Sequence, residues 1–144
     1  MKTLIRIAHG LLGGVIAAGI IGFAGAADMA GAGKLTLSGS EEVPSVSTSA
    51  SGTGTIEVRG DKSVSGSVTT SGIAGMAAHI HEAAMGVNGP VVIPLTKTSD
   101  NVWSVPANAK LSDAQYDSYK AGKLYVNVHS AAHKDGEIRA QLKP

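Results

Sequence analysis

From Lys34 onward the chain reads as short runs in which apolar and polar residues alternate, punctuated by glycine, proline and serine. Side chains on a β-strand point alternately to opposite faces, so such runs predict half-buried strands. Lys34-Leu35-Thr36-Leu37-Ser38 is the first. Ser40 to Ser51 is polar, carries Pro44 and predicts a loop. Gly54 to Arg59 and Ser63 to Thr70 flank a Gly60-Asp61 turn and predict a hairpin. Ser71 to Gly75 then leads into a strand holding Ala78-His79-Ile80-His81-Glu82. Ala83 to Pro90 is a Gly/Pro-rich loop. Val91 to Leu95 is a strand whose Pro94, lacking an N–H, predicts an edge or a bulge. Asn101 to Val105 is another strand.

One segment has a different grammar. Ser112-Asp113-Ala114-Gln115 is a capping box, with Leu111 and Tyr116 placed as a hydrophobic staple and Gly122 as a stop, which predicts a helix from about Asp113 to Ala121. Strands Leu124–His129 and Gly136–Leu142 follow, joined by a loop holding His133 and Asp135. About eight short strands and one helix predict an all-β fold, an antiparallel Greek-key-like sandwich or barrel.

The N-terminal region does not follow this pattern. Lys2 and Arg6 are followed by an apolar, Gly- and Ala-rich run from Leu11 to Ala24 and by the small-x-small triplet Ala24-Gly25-Ala26. This predicts a signal peptide over residues 1–26 and an exported protein, periplasmic or extracellular. A retained anchor is the rival reading. The run is short for a span of about 20 residues and rich in glycine, which favours cleavage and leaves the mature chain off the membrane. Residues 27–33 are a lead-in, and 34–144 form one domain. Without Lys2 and Arg6 the chain carries ten basic and eleven acidic residues, with no basic stripe for a nucleic-acid partner. It has no cysteine, so neither a disulfide nor a thiolate metal site is available.

The mature chain's histidines fall in two clusters, His79/His81 and His129/His133. Residues i and i+2 of a strand share a face, so the rings of His79 and His81 start about 7 Å apart, close enough to lean onto one metal ion. On the Leu124 strand, Leu124, Val126 and Val128 form the core face, and Tyr125, Asn127 and His129 the other. The fold is therefore expected to unite His79, His81 and His129, with His133 either a fourth ligand or a solvated loop residue. The bland alternative is that each histidine is an ordinary polar face residue. Imidazoles suit copper, zinc, iron and nickel. Met85 and Met76 are core fillers or, for Met85, a soft ligand. Glu82, Asp135 and Glu137 are candidates to orient an imidazole, or solvated turn charges. Arg139 either guides an anion to the site or pairs with one of those carboxylates. No G-x-S-x-G elbow or phosphate loop is present, which argues against hydrolase and nucleotide chemistry.

Ser40-Glu41-Glu42-Val43-Pro44, Ala78-His79-Ile80-His81, Gly86 to Val92, and Leu124 to Ser130 with Gly136-Glu137-Ile138-Arg139 resemble a CHRD domain, the module named after chordin and widespread in bacterial exported proteins. The resemblance covers about Lys34 to Leu142. More distantly, the histidine motifs resemble those of Cu/Zn superoxide dismutases. That resemblance implies His79, His81 and His129 as copper ligands and Arg139 as the residue guiding a small anion such as superoxide. No counterpart to the bridging histidine, the zinc loop or the disulfide is present, so one copper ion is expected and zinc is less favoured. The leading reading is an exported copper protein with superoxide dismutase-like activity. The runner-up is a non-enzymatic copper carrier or buffer, or an adhesion module.

Overall fold

The computed structural model describes residues 33–144. The expected signal peptide and nearly all of the lead-in lie outside the described residues. Nine strands form one sheet: β1 (Lys34–Ser38), β2 (Ser51–Val58), β3 (Val64–Ser71), β4 (Gly75–Glu82), β5 (Val91–Pro94), β6 (Thr96–Ser99), β7 (Val102–Ser104), β8 (Leu124–Ser130) and β9 (Ile138–Gln141). Among the described residues a single α-helix, α1 (Asp113–Lys120), precedes β8, and a 3₁₀ turn, Gly39–Glu41, follows β1.

All pairings are antiparallel, and the strand order is β5-β4-β8-β9-β1-β2-β3-β7-β6. The neighbours β4/β8 and β3/β7 are distant in sequence, as a Greek-key path requires. The outermost strands β5 and β6 are separated in the chain only by Leu95. Leu95 N–H donates to the Ala78 carbonyl (2.9 Å) and Lys97 Nζ to that of Gly75 (3.4 Å), so the start of β6 lies back against β4. The sheet therefore curls into a nearly closed barrel. Pro94 ends edge strand β5, where its missing N–H costs no ladder bond.

Alternation fills the interior. Leu37, Val68, Leu124, Val126, Val128 and Ile138 are fully buried there, with Ile80 and Trp103 nearly so. The strand β6 was not expected: Thr96–Ser99 is polar and exposed at every position, so it carries no alternation to read. A short polar edge strand also resists pairing with other chains. β2 begins at Ser51, ahead of the first alternating apolar residue.

Register sets the outer face. Across β4 and β8, Ala77 pairs with His129, His79 with Asn127 and His81 with Tyr125. Across β8 and β9, Asn127 pairs with Arg139 and Tyr125 with Gln141. Every one of these side chains stands on the side away from the apolar core.

The helix forms where its caps predict. Ser112 Oγ accepts from Gln115 N–H (3.1 Å), and Gln115 Oε1 accepts from Ser112 N–H (2.8 Å). Leu111 is buried and Tyr116 half-buried beside it. The helix gives way at Ala121, and Gly122 takes the left-handed conformation (φ 72°) that glycine adopts without strain. Ser112→Ala should lower the unfolding free energy by about 1 kcal/mol in chemical denaturation, with the slope against denaturant unchanged.

Candidate metal centre

Three imidazoles converge on the outer face of β4 and β8. Each of His79, His81 and His129 offers a nitrogen lying within 4.8 Å of the other two, close enough to hold a metal ion. The ring centroids are 5.4 Å apart for His79/His81, 4.8 Å for His79/His129 and 6.0 Å for His81/His129. Because His129 pairs with Ala77, it faces His79 diagonally, within reach of a long side chain.

Two of the three tautomers are fixed by backbone carbonyls, which can only accept. His81 Nδ1–H donates to the Gly89 carbonyl (2.9 Å), and His129 Nδ1–H donates to that of Lys134 (2.8 Å). In the neutral rings both Nε2 atoms then carry free lone pairs. His129 Nε2 lies 3.0 Å from His79 Nδ1, so the third ring donates its Nδ1–H to it. His81 Nε2 is buried and makes no well-formed hydrogen bond among the described residues; the Asn127 amide near the ring only partly offsets the effect of burial. A buried nitrogen without a partner beside two other imidazoles fits a metal ion, and the donor set would be His79 Nδ1, His81 Nε2 and His129 Nε2, with the His79 proton moved from Nδ1 to Nε2 when the metal replaces its bond to His129. Burial, with the neighbouring rings adding to it, holds the His79 pKa below the usual histidine value; burial likewise lowers that of His81. Both shifts favour the neutral form that a metal requires. His81 is buried, while His79 and His129 are half-exposed, so the cluster opens to solvent on one side.

The other expected residues are placed as follows. His133 lies in the β8–β9 loop, outside the three-histidine group. Its carbonyl accepts from Ser130 and Gly136, and its N–H donates to Ser130 Oγ (3.2 Å). Met76 and Met85 are exposed. Glu82 accepts from Ser118 Oγ (2.5 Å), tying β4 to α1, and Glu137 accepts from Thr48 (2.7 Å) and Ser130 (2.5 Å). The groups that orient His81 and His129 are loop carbonyls rather than the expected carboxylates. One signal was available: Gly89 precedes Pro90, and a Cβ there would collide with the Glu82 carbonyl oxygen, so only glycine lets this loop close over β4.

Arg139 is 1 % exposed. Its guanidinium donates to the carbonyls of Val87 (3.0 Å) and Ala84 (3.2 Å), to Asn88 Oδ1 (3.3 Å) and to Gln141 Oε1 (3.2 Å). Its donors are engaged by the loop after β4 and by Gln141, and none of the hydrogen bonds described goes to Glu82, Asp135 or Glu137.

A family model described as CHRD domain matches residues 34–142. The chain belongs to the CHRD domain family. No curated protein and no solved structure matches it.

In this CHRD domain the outer face of β8 is itself buried along Tyr125 and Asn127 and opens toward His129. Tyr125 and Asn127 are 2 % exposed, roofed by the loops that leave β1, β4 and β8. Glu42, from the β1–β2 loop, is 5 % exposed beside Asn127. Gly136, at φ 126°, passes so close that a Cβ would collide with both the Glu42 carboxylate and the Asn127 amide. Burial pushes the Glu42 pKa up to about 7, an effect that the Arg139 charge and the polar contacts of Asn127 and Val43 only partly offset. A carboxyl that holds its proton more tightly when folded adds stability below about pH 4.5, and that stability is lost as pH rises through about 7. Glu42→Gln should therefore flatten the fall in melting temperature between those two pH values. An unchanged slope in the variant would assign the pH dependence elsewhere.

Proposed function

We propose that this CHRD domain is an exported copper protein with superoxide dismutase-like redox activity at His79, His81 and His129. The observation that carries the reading is the convergence of three nitrogens within 4.8 Å, one of them buried and unpartnered. Imidazole sites bind Cu(II) more tightly than the other divalent first-row ions, and the chain has no thiolate to favour closed zinc sites. Copper held by these three histidines would supply one-electron redox chemistry of the kind needed to turn two superoxide ions and two protons into dioxygen and hydrogen peroxide.

The residues divide that work. His81, pinned by Gly89 and stacked on Tyr125 (4.8 Å between centroids, 4° between planes), is the rigid ligand. His79 and His129 close the other sides, and the half-exposed approach between them admits a small anion. Export fits the N-terminal sequence pattern. The half-exposure of the same two rings favours copper carriage as the second reading, because a surface metal can be passed to another protein's ligands. Turnover of superoxide by the copper-loaded protein separates the two.

Copper at about 100 times its Kd should stabilise the wild type by about 2.7 kcal/mol. In thermal melts, His79→Ala, His81→Ala and His129→Ala should each lose most of that gain, and His133→Ala should keep it. Identical melts of metal-free and copper-loaded wild type would overturn the copper reading. Binding without superoxide turnover would leave the carrier.

A further inference from the structure

The loop Ala83–Pro90 between β4 and β5 is held down by side chains of the sheet it covers. Arg139 bonds to Ala84, Val87 and Asn88; Gln141 Nε2 donates to the Ala83 carbonyl (2.9 Å); and Gly89 N–H donates to Tyr125 Oη (3.2 Å). The Arg139 guanidinium lies 3.4 Å over the centroid of the Tyr125 ring. That ring is in turn stacked on His81. Two routes therefore lead from Arg139 to one imidazole. One runs through the aromatic stack and sets the plane of the ring. The other runs through the loop backbone to the Gly89 carbonyl, which fixes the Nδ1–H tautomer and leaves Nε2 free.

We propose that Arg139 and Tyr125 are positioning residues for the metal centre, holding His81 in the plane and tautomer that aim its Nε2 at His79 and His129. The inference rests on the copper reading for the identity of the ion, though not for the orientation of the ring. Guanidinium is required rather than positive charge alone. A lysine ammonium can neither lie flat on Tyr125 nor reach four acceptors at once. Groups bonded directly to a liganding imidazole, as the Gly89 carbonyl is here, typically change affinity 10–100-fold, and Arg139 acts one contact further out.

The test is Cu(II) affinity of the full mature chain by competition with a chelator, in wild type, Arg139→Lys, Tyr125→Phe and Asn88→Ala, each alone and combined with His81→Ala. Arg139→Lys should weaken Cu(II) binding about tenfold or more and shift its electron paramagnetic resonance spectrum. Tyr125→Phe keeps the stack and loses only the bond to Gly89, so it should cost less. In the His81→Ala background Arg139→Lys should cost nothing further. A merely structural role would lower the melting temperature while leaving the affinity and spectrum of the folded protein alone. Should Arg139→Lys not fold, Asn88→Ala, at an exposed position that supplies one of the four acceptors, should give a smaller shift of the same sign. Wild-type affinity in the folded variants, or an equal loss with and without His81, would overturn the proposal. Failure of the wild type to bind copper would strike the copper reading instead. In that event nitrogen NMR of metal-free protein decides the positioning claim: His81 is a single Nδ1–H tautomer in wild type and a mixture in Arg139→Lys, and a single tautomer in both would refute it.

Discussion

Register between β4 and β8 decides where every polar side chain of this domain's outer face ends up. A slip of one residue would turn Leu124, Val126 and Val128 outward and drive Tyr125, Asn127 and His129 into the apolar core. The full burial of those three apolar residues forbids the slip. The same constraint holds His79 beside Asn127 and sets His129 diagonally across from it. The three-histidine cluster is thus a consequence of how the core is packed, at little cost to the strands that carry it.

That placement creates a second problem, which the loops solve. A sheet with one face on the core usually leaves the other wet. Here the outer face of β8 and β9 carries Tyr125, Asn127, Arg139 and Gln141 and is covered. Buried polar groups need partners, and a buried charge needs several. The guanidinium finds its acceptors in the Ala83–Pro90 loop, and Gln141 Nε2 takes the carbonyls of Ala83 and Gly122. The loops are thereby fixed, and two of their carbonyls, Gly89 and Lys134, orient histidines. The imperfectly satisfied members, Glu42 and Asn127, lie behind the cluster, where the loops meet.

The sequence showed much of this because alternation is a local property. Leu124 to His129 and Ala78 to His81 declare both faces of their strands, and the capping box at Ser112–Gln115 declares its helix. What was not legible was non-local. No pattern in Thr96–Ser99 marks it as a strand, since its role is to sit next to β7. Nothing near Arg139 says that its charge is buried, because three of its four acceptors lie more than fifty residues away in the chain. The orienting carbonyls of Gly89 and Lys134 belong to the backbone, and only the glycine requirement at Gly89 leaves a mark of one of them in the sequence. His133 shows the converse: proximity to His129 in sequence did not bring it to the cluster, because the loop uses its backbone to close the turn onto Ser130.

The central claim is that one copper ion sits between three specific nitrogens. A crystal structure of the copper-loaded mature protein, with anomalous data collected at the copper edge, addresses it directly. The account predicts a single strong peak about 2 Å from His79 Nδ1, His81 Nε2 and His129 Nε2, with the hydrogen bonds to Gly89 and Lys134 intact and His133 uninvolved. No peak among these rings, or a peak held by His133 or the exposed methionines in their place, would contradict it.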